Sequence, residues 1–420
     1  MEVAKRFVAY ATLIIAGLLG GLAIAEAALR IAGFRYDPID NFSHPIYRRD
    51  PNLGWWHIPD VSSKYVGEGQ SQVTINHLGL RDREHLLAKP KGSIRVAVLG
   101  DSYAEAVGVP RERNFCSILE RSLQTCETNR KHSVEVINFG VGGYGTAQEL
   151  LMLREHVWEY GPDVVILAFF PGNDITDNSS VMTRLAWPQA PVRPYFQLNS
   201  GSLVPDESFR HSPEFRVPLE TRKLPGDPVE AIKRHSRVLQ LVARLKGMWP
   251  ALWVWPLERR PLAEFTEALK PPETPAYAQA WLVTEALVTE IYRDVQRHRA
   301  QFLLVVISDP LQVYPDHEVR QKLQRKAGLK DPFYANKRLA VLAQREGFPV
   351  LSLGEPFLKC AEEHRVFLHG FSNFRLGVGH WNAEGHLLAG QMIAAKVCAM
   401  LDKHGDSSNR PDLLALPTGN

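Results

Sequence analysis

The 420-residue chain has only four cysteines, and no two of them show the close spacing that holds a metal ion. Cys116 and Cys126 fall on one predicted helix, where ten residues at 1.5 Å each separate them by about 15 Å, too far for a disulfide. Other pairings of these two with Cys360 and Cys398 stay open. We expect most of the four to be buried as small apolar side chains, and we expect no metal and no cofactor.

The sequence also lacks a basic block, an acidic tail, internal repeats and low-complexity tracts, and its formal net charge is only +3. Nucleic acid is therefore an unexpected partner. Hydrophobic residues make up 45% and charged residues 23%, a composition typical of a folded globular protein.

Residues 7–25 contain no charged side chain, and such a run is long enough to cross a bilayer as a helix. Lys5 and Arg6 precede it, which by the positive-inside rule predicts a cytoplasmic amino terminus and an extracytoplasmic, periplasmic remainder. The alternatives are a cleaved signal peptide, with Ala23-Ile24-Ala25 as the cleavage site, and a buried helix of a soluble protein. Apolar residues continue beyond Glu26, which favours a retained single-pass anchor over residues 1–33.

Residues 34–92 are rich in Pro, Gly and aromatic side chains and predict a small β-rich module. Its Trp55 and Trp56 either pack against the main domain, the more common arrangement, or stack on sugar rings. From residue 93 to 405, apolar strands alternate with amphipathic helices, and residues 406–420 predict a disordered tail. Strands are predicted at 94–99, 134–138, 163–169, 302–307 and 349–352, and helices at 111–125, 146–159, 276–298, 335–346 and 383–402.

This alternation predicts an α/β fold: a flavodoxin-like three-layer α/β/α sandwich with a central, mostly parallel five-stranded sheet. The gap between the third and fourth strands is too long for a simple crossover and predicts an insertion at about 175–300. A hairpin is expected at 196–204, and helices at about 228–247 and 276–298. The tryptophan-rich run at 249–256 could form a lid or a membrane contact, although packing within the insertion is the simpler interpretation.

Three of the predicted strands end in residues suited to chemistry. Ser102 follows the first strand in the motif Gly-Asp-Ser. Ligands bind beyond the carboxyl ends of the strands of a parallel sheet, so this serine is a candidate nucleophile. Alternatively, Asp101 or Ser102 merely caps the next helix. Gly143 lies in a glycine-rich turn after the second strand, where backbone N–H groups can approach a ligand. This turn matches neither the P-loop nor the dinucleotide-binding pattern. Asn173 follows the third strand and could donate a hydrogen bond to an oxyanion.

His380 lies just before the final predicted helix and can serve as a general base near neutral pH. His386 lies inside that helix and is expected to pack or cap. The pair lacks the His-Glu-x-x-His spacing of a zinc site.

Taken together, Gly100-Asp101-Ser102, Gly143, Gly172-Asn173-Asp174 and His380 resemble, in order and approximate spacing, the four blocks of SGNH hydrolases, also called GDSL esterases and lipases. The chain is more narrowly similar to membrane-anchored bacterial members with a motif like that at 76–82. The resemblance covers about residues 93–402 without the insertion. An α/β-hydrolase with Gly-x-Ser-x-Gly is disfavoured because Ala104 replaces the last glycine. The resemblance implies a nucleophile at Ser102, a base at His380, and an oxyanion hole formed by the Ser102 and Gly143 amides with Asn173.

One part of that pattern is missing, because Gly377 stands where the family carries an aspartate three residues before the histidine. Asp309, Asp174 or a backbone carbonyl could orient His380 instead, or hydrolysis could be weak or lost. The leading hypothesis is an exported, membrane-anchored esterase that removes an acyl group such as acetyl from an envelope glycan, a lipid or a small ester. An O-acyltransferase acting on an exopolysaccharide and a non-catalytic polysaccharide-assembly module are the alternatives.

Overall fold

The computed structural model describes residues 2–34, 42, 44–126, 132–186, 192–216, 236–248 and 266–407. The chain begins with helix α1 (Glu2–Ile31). Its segment Thr12–Ile31 has a mean hydropathy of 2.0 and none of it is buried by the rest of the protein. Within the described ranges, this is the one helix whose length and composition suit a bilayer crossing.

Two antiparallel hairpins follow, β1 (Tyr47–Asp50) with β2 (Gly54–His57) and β3 (Ser62–Gly67) with β4 (Gly69–Thr74). Further along the chain the strands are β5 (Ser93–Gly100), β6 (Ser133–Asn138), β7 (Val164–Phe169), β8 (Tyr195–Asn199), β9 (Ser202–Asp206), β10 (Gln301–Val306), β11 (Val350–Ser352), β12 (His369–Phe371) and β13 (Arg375–Trp381). The pairs β8–β9 and β12–β13 are antiparallel hairpins.

The central sheet is fully parallel, in the order β11-β10-β7-β5-β6. Numbered along the chain, these strands run 2-1-3-4-5 across the sheet, which is the flavodoxin-like order. All five predicted strands are confirmed to within about two residues at each end. The order reverses beside β5, so the crevice at its carboxyl end is the expected ligand position of such a sheet.

Helices cover both faces of the sheet. They are α2 (Ser102–Glu105), α3 (Phe115–Gln124), α4 (Thr146–Glu155), α5 (Pro171–Asp177), α6 (Ser180–Ala186), α7 (Arg237–Met248), α8 (Pro275–Arg297), α9 (Pro310–Val313), α10 (His317–Lys326), α11 (Tyr334–Glu346), α12 (Gly354–His364) and α13 (Ala383–Ser407). Strand β5 shows how the layers arise, because Val96 and Val98 pack with α3 and α13 while Ala97 and Leu99 pack with α4 and α8. Successive side chains of a strand point to opposite faces, so a continuous apolar run builds both cores. The three-layer prediction is confirmed.

The β-rich segment packs onto the main domain. Trp55 and Trp56 are only 4% and 5% exposed and belong to the same apolar core as α4 and α8, which confirms the packing interpretation for this pair. The side chain of Arg81 is buried and donates to the carbonyls of Glu105 and Val109, at 2.5 and 2.6 Å. The motif at 76–82 therefore fastens this segment to the backbone that follows Ser102.

In the insertion, the predicted hairpin is confirmed as β8–β9, and the second predicted helix as α8. The first predicted helix is represented by α7, which begins at Arg237. The tryptophan-rich run at 249–256 lies outside the described residues. Helix α13 continues to Ser407, so the first two residues of the predicted disordered tail are helical, and 408–420 lie outside the described residues.

A disulfide joins Cys126, just after α3, to Cys398 in α13, with 6.3 Å between the two Cα atoms. Cys116 is a buried free thiol and Cys360 a half-buried one. The expectation of small buried cysteines holds for Cys116, whereas Cys126 and Cys398 form a covalent link that spacing along the chain could not identify.

Candidate active site

Ser102 is the first residue of α2, directly beyond the carboxyl end of β5. Asp101 caps this short helix, with its carboxylate accepting the Tyr103 amide at 2.8 Å. The capping interpretation is thus correct for Asp101, and the cap also fixes the turn that presents Ser102. The Ser102 hydroxyl lies 2.8 Å from Nε2 of His380.

His380 lies near the end of β13, the second strand of the β12–β13 hairpin. Its ring packs against Tyr103 at 4.9 Å between centroids. The preceding Gly379 carbonyl receives hydrogen bonds from His369 Nδ1 at 2.8 Å and from the Tyr103 hydroxyl at 3.3 Å. The hairpin and these contacts hold the imidazole against Ser102.

The carboxylate that contacts His380 is that of Glu68, at the tip of the β3–β4 hairpin. One oxygen, Oε2, lies 2.8 Å from His380 Nδ1 and also accepts the His380 backbone N–H at 2.8 Å. A carboxylate at Nδ1 fixes the proton on that nitrogen and leaves Nε2 free to accept the serine proton. Ser102, His380 and Glu68 therefore form a continuous hydrogen-bonded chain suited to proton transfer from a serine.

Two glycines explain why this acid comes from so far along the chain. Gly377 has φ +75° and a Cβ there would contact the ring of Tyr314, so the position that the resemblance assigns to an aspartate has no room for a side chain. Gly379 has φ +83°, and a Cβ there would collide with the Glu68 carboxylate. Gly377 thus leaves no room for an acid on the hairpin itself, and the absence of a side chain at Gly379 leaves the space beside the histidine open to Glu68.

The structure does not place either predicted aspartate against His380. Asp309 caps α9, accepting the Leu311 amide at 2.8 Å, and burial raises its pKa to about 7. Asp174 is buried, and one of its oxygens accepts the Phe170 amide at 2.8 Å. Its pKa is raised by burial and by the charges of Glu149 and Asp101. Neither Asp309 nor Asp174 therefore reaches His380, and a backbone carbonyl is not the partner of His380 Nδ1 either.

Opposing effects set the charge state of the His380–Glu68 pair. Burial lowers the pKa of His380, but the charge of Glu68 and its hydrogen bond outweigh burial and raise that pKa above 6.5. Burial likewise raises the pKa of Glu68, but the charge and hydrogen bonds of His380 lower it overall. The side chains are 41% and 23% exposed, so the pair is screened in part by solvent. The site favours an imidazolium beside a carboxylate, the pair that forms when the imidazole accepts a serine proton.

Gly143 and Asn173 follow the two strands that flank β5. Gly143 lies in the turn after β6, and Asn173 lies in α5 after β7. No acceptor for the amides of Ser102 and Gly143 is found within the part of the chain that the structure describes. The Asn173 side chain lies near Asp101, whose pKa is raised to about 6 by burial, an effect that the Tyr103 amide and the charge of His380 oppose in part. The three predicted donors therefore meet at one edge of the sheet.

His386 is buried and stacks parallel to the ring of Phe115 at 6.1 Å between centroids, which confirms the expected packing role. Burial lowers its pKa to about 3, so its ring is neutral. Among the described residues, no group of three His, Cys, Asp or Glu side chains is arranged to hold a metal ion.

Glu68 is the site residue that reasoning from the sequence missed. A signal was present, because Gly67-Glu68-Gly69 places a single acid between two glycines at the centre of an alternating, hairpin-like stretch. Nothing in the sequence shows that this tip reaches a histidine 312 residues away.

Neither a protein-family model nor a curated protein sequence matches the chain. Solved structures show a distant similarity. An acetyl xylan esterase is 15% identical with a TM-score of 0.35, over 72% of this chain and 99% of that one. An acetylxylan esterase mutant from Geobacillus stearothermophilus is 9% identical with a TM-score of 0.34, over 75% and 96% of the two chains. A protein described as lipolytic and of the G-D-S-L family, from Desulfitobacterium hafniense, is 11% identical with a TM-score of 0.31, over 72% and 99%. Scores below 0.5 carry no weight for function.

Proposed function

We propose that this chain is a serine esterase of the SGNH type that cleaves an acyl ester through an acyl-serine intermediate. The observation that supports this most is the chain of hydrogen bonds from Ser102 to His380 to Glu68 at the carboxyl edge of the parallel sheet, with 2.8 Å at each link. In this geometry a hydroxyl, an imidazole and a carboxylate act as nucleophile, base and orienting acid.

The reaction proceeds in two halves. Ser102 Oγ attacks the ester carbonyl carbon while His380 Nε2 takes the hydroxyl proton, and the Ser102 and Gly143 amides with Asn173 stabilise the oxyanion. The tetrahedral intermediate collapses, the alcohol leaves with the proton from His380, and the acyl group stays on Ser102. Water, deprotonated by His380, then attacks the acyl-serine. The second tetrahedral intermediate collapses, Ser102 Oγ leaves with the proton from His380, and the acid is released.

The alternative of a non-catalytic module was based on the missing aspartate. The contact of the Glu68 carboxylate with His380 supplies an acid in its place and removes that reason. The O-acyltransferase alternative rests on the same acyl-serine chemistry, with a sugar hydroxyl in place of water, and tryptophans near residue 55 and at 249–255 could line its acceptor groove. Trp55 and Trp56 are buried in the core and unavailable for such a groove. No observation within the described residues favours an acyltransferase over an esterase.

Full-length protein in detergent should hydrolyse p-nitrophenyl acetate, and Ser102→Ala should lower kcat by at least about a thousandfold, because the nucleophile is lost. A fluorophosphonate probe should label the wild-type chain at Ser102 and leave the variant unlabelled. Ser372→Ala, an exposed serine near the site, is the matched control and should hydrolyse and label like the wild type. Hydrolysis unchanged in Ser102→Ala would exclude the serine mechanism, and transfer to an added glycan in preference to water would favour the acyltransferase.

We further propose that α1 anchors the protein in a membrane with the esterase domain on the extracytoplasmic side. The apolar segment Thr12–Ile31 and the preceding Lys5 and Arg6 support this orientation. The disulfide between Cys126 and Cys398 supports export independently, because disulfides persist in oxidising compartments and are rare in the cytosol.

A further inference from the structure

Arg193, in the insertion just before β8, carries a buried charge beside the candidate active site. Its side chain is 1% exposed, and its guanidinium lies 5.0 Å above the ring of Trp55. Nη1 lies 2.9 Å from the Gly143 carbonyl oxygen and 3.0 Å from Asp177 Oδ2. A charge removed from water in this way is costly unless it is paired, so the position of this guanidinium is tightly specified by its partners.

The partner of Arg193, Asp177, leads to the second oxyanion donor. Asp177 ends α5, one turn after Asn173 on the same helix. Burial raises the pKa of Asp177, while the charge and hydrogen bond of Arg193 and, to a smaller extent, the nearby Asn173 side chain lower it in part. One buried ion pair thus contacts the Gly143 carbonyl at one end and, at the other, ends in an aspartate one turn from Asn173 on the same helix.

We propose that Arg193 is a positioning residue that fixes two of the three donors of the oxyanion hole, Gly143 through its carbonyl and Asn173 through Asp177. The inference rests on the proposed esterase function and deepens it. Oxyanion donors accelerate a reaction only when they are held in place before charge develops, so that no reorganisation accompanies the transition state. The guanidinium suits this task because it stacks on the Trp55 ring while one of its nitrogens, Nη1, contacts both the carbonyl and the carboxylate, and an ammonium group lacks the planar face for that stacking.

The same geometry gives Arg193 a distinct kinetic signature. It contacts neither Ser102 nor His380 in any described hydrogen bond, so its loss should leave proton transfer intact and weaken only the tetrahedral state. We therefore expect a lower kcat with KM nearly unchanged, and an acid limb of the pH–rate profile at the wild-type position.

The test compares Arg193→Gln with the wild type on p-nitrophenyl acetate and measures the inhibition constant of a trifluoromethyl ketone, which forms a tetrahedral adduct with an active serine. We expect kcat to fall about ten- to a hundredfold, KM to stay within about twofold, and the inhibition constant to rise in proportion to the loss in kcat/KM. Asp177→Asn keeps the contacts of Arg193 with Gly143 and Trp55 but removes the charge pair. It should give a smaller loss of the same kind and provides a second variant if Arg193→Gln does not fold.

Arg338→Gln is the matched control, because Arg338 also stacks on a tryptophan, Trp281 at 4.4 Å, and pairs with Glu285 at 2.6 Å. It should lower Tm and leave kcat of the folded protein unchanged. If Arg193→Gln shows the kcat and the inhibition constant of the wild type, or changes only KM for acidic esters, this inference is wrong. The esterase proposal still stands in that case as long as the fluorophosphonate labels Ser102. If the wild-type protein neither hydrolyses esters nor reacts with the fluorophosphonate, the esterase proposal itself fails, and this inference fails with it.

Discussion

At the scale of single residues, the His380–Glu68 pair decides how the proposed esterase should respond to pH. The base must be neutral to accept the Ser102 proton, so activity should rise with pH through the pKa of His380. Burial lowers that pKa, whereas the charge and hydrogen bond of Glu68 raise it above 6.5 overall. The acid limb of the wild-type profile should therefore lie at a higher pH than that of an unperturbed histidine.

Glu68→Gln keeps the shape of the side chain but removes its charge, so the pKa of His380 should fall and the acid limb should move to lower pH. The imidazolium formed during acylation also loses its counter-charge, and kcat should drop by about a hundredfold or more, by analogy with the loss of other triad acids. The measurement is a profile of kcat against pH for p-nitrophenyl acetate. Asp309→Asn is the control, since asparagine also caps a helix, and its profile should match the wild type. A profile unchanged in Glu68→Gln would show that Glu68 does not govern His380.

At the scale of secondary-structure elements, two hairpins from distant parts of the chain meet at their tips. The turn between β12 and β13 carries Asn373, whose side chain donates to the carbonyls of Gly67 and Gly69, at 3.2 and 2.9 Å. The same side chain accepts the Gly69 amide at 3.2 Å. Asn373 therefore holds the backbone on both sides of Glu68, and the hairpin that carries the base also fixes the acid.

Asn373→Ala should release this tip without changing any charged group. Each lost hydrogen bond is worth about 1 kcal/mol, so we expect kcat to fall about tenfold and the acid limb to shift in the same direction as in Glu68→Gln, by less. The pH–rate profile again gives the readout, with Ser372→Ala as the neighbouring control. Identical profiles for Asn373→Ala and the wild type would mean that the hairpin holds Glu68 in place without the hydrogen bonds of Asn373.

The elements also show what a sequence can and cannot reveal. Strands such as β7, apolar on both faces, and helices such as α8, with a 3.6-residue apolar repeat, are local patterns, and their predicted positions are confirmed. Ser102, Gly143 and Asn173 could be placed together because each follows a strand of one parallel sheet. Glu68 and Arg193 could not, because each reaches the site through a loop whose docking depends on contacts between distant segments.

At the scale of the whole molecule, the disulfide fastens the end of the sandwich opposite the candidate site. Helices α3 and α13 begin near the carboxyl edge of the sheet and run back towards its amino edge, where Cys126 and Cys398 meet. The link therefore joins two helices of one layer at a distance from Ser102. It should contribute to stability without contributing to catalysis.

Replacing Cys126 and Cys398 together with alanine should lower the free energy of unfolding by about 2–4 kcal/mol and leave kcat unchanged. Denaturant unfolding of the full chain in detergent, with and without reductant, measures the first quantity. The number of maleimide-reactive thiols in the denatured chain reports the redox compartment. The exported protein should show two reactive thiols before reduction and four after it. The double variant with Cys116→Ala and Cys360→Ala should show no reactive thiol before reduction. Four reactive thiols in the unreduced membrane-bound protein would contradict export to an oxidising compartment.

The distance along the chain between Glu68 and His380 has a consequence for when activity can begin. The acid Glu68 is synthesised early and Ser102 soon after it. The base, His380, follows much later, 278 residues after that serine. A partly synthesised chain, or one whose last hairpin has not docked, carries the hydroxyl without its proton acceptor. The proposed esterase would thus remain silent throughout synthesis and translocation and become competent only when these two distant segments of the chain have come together.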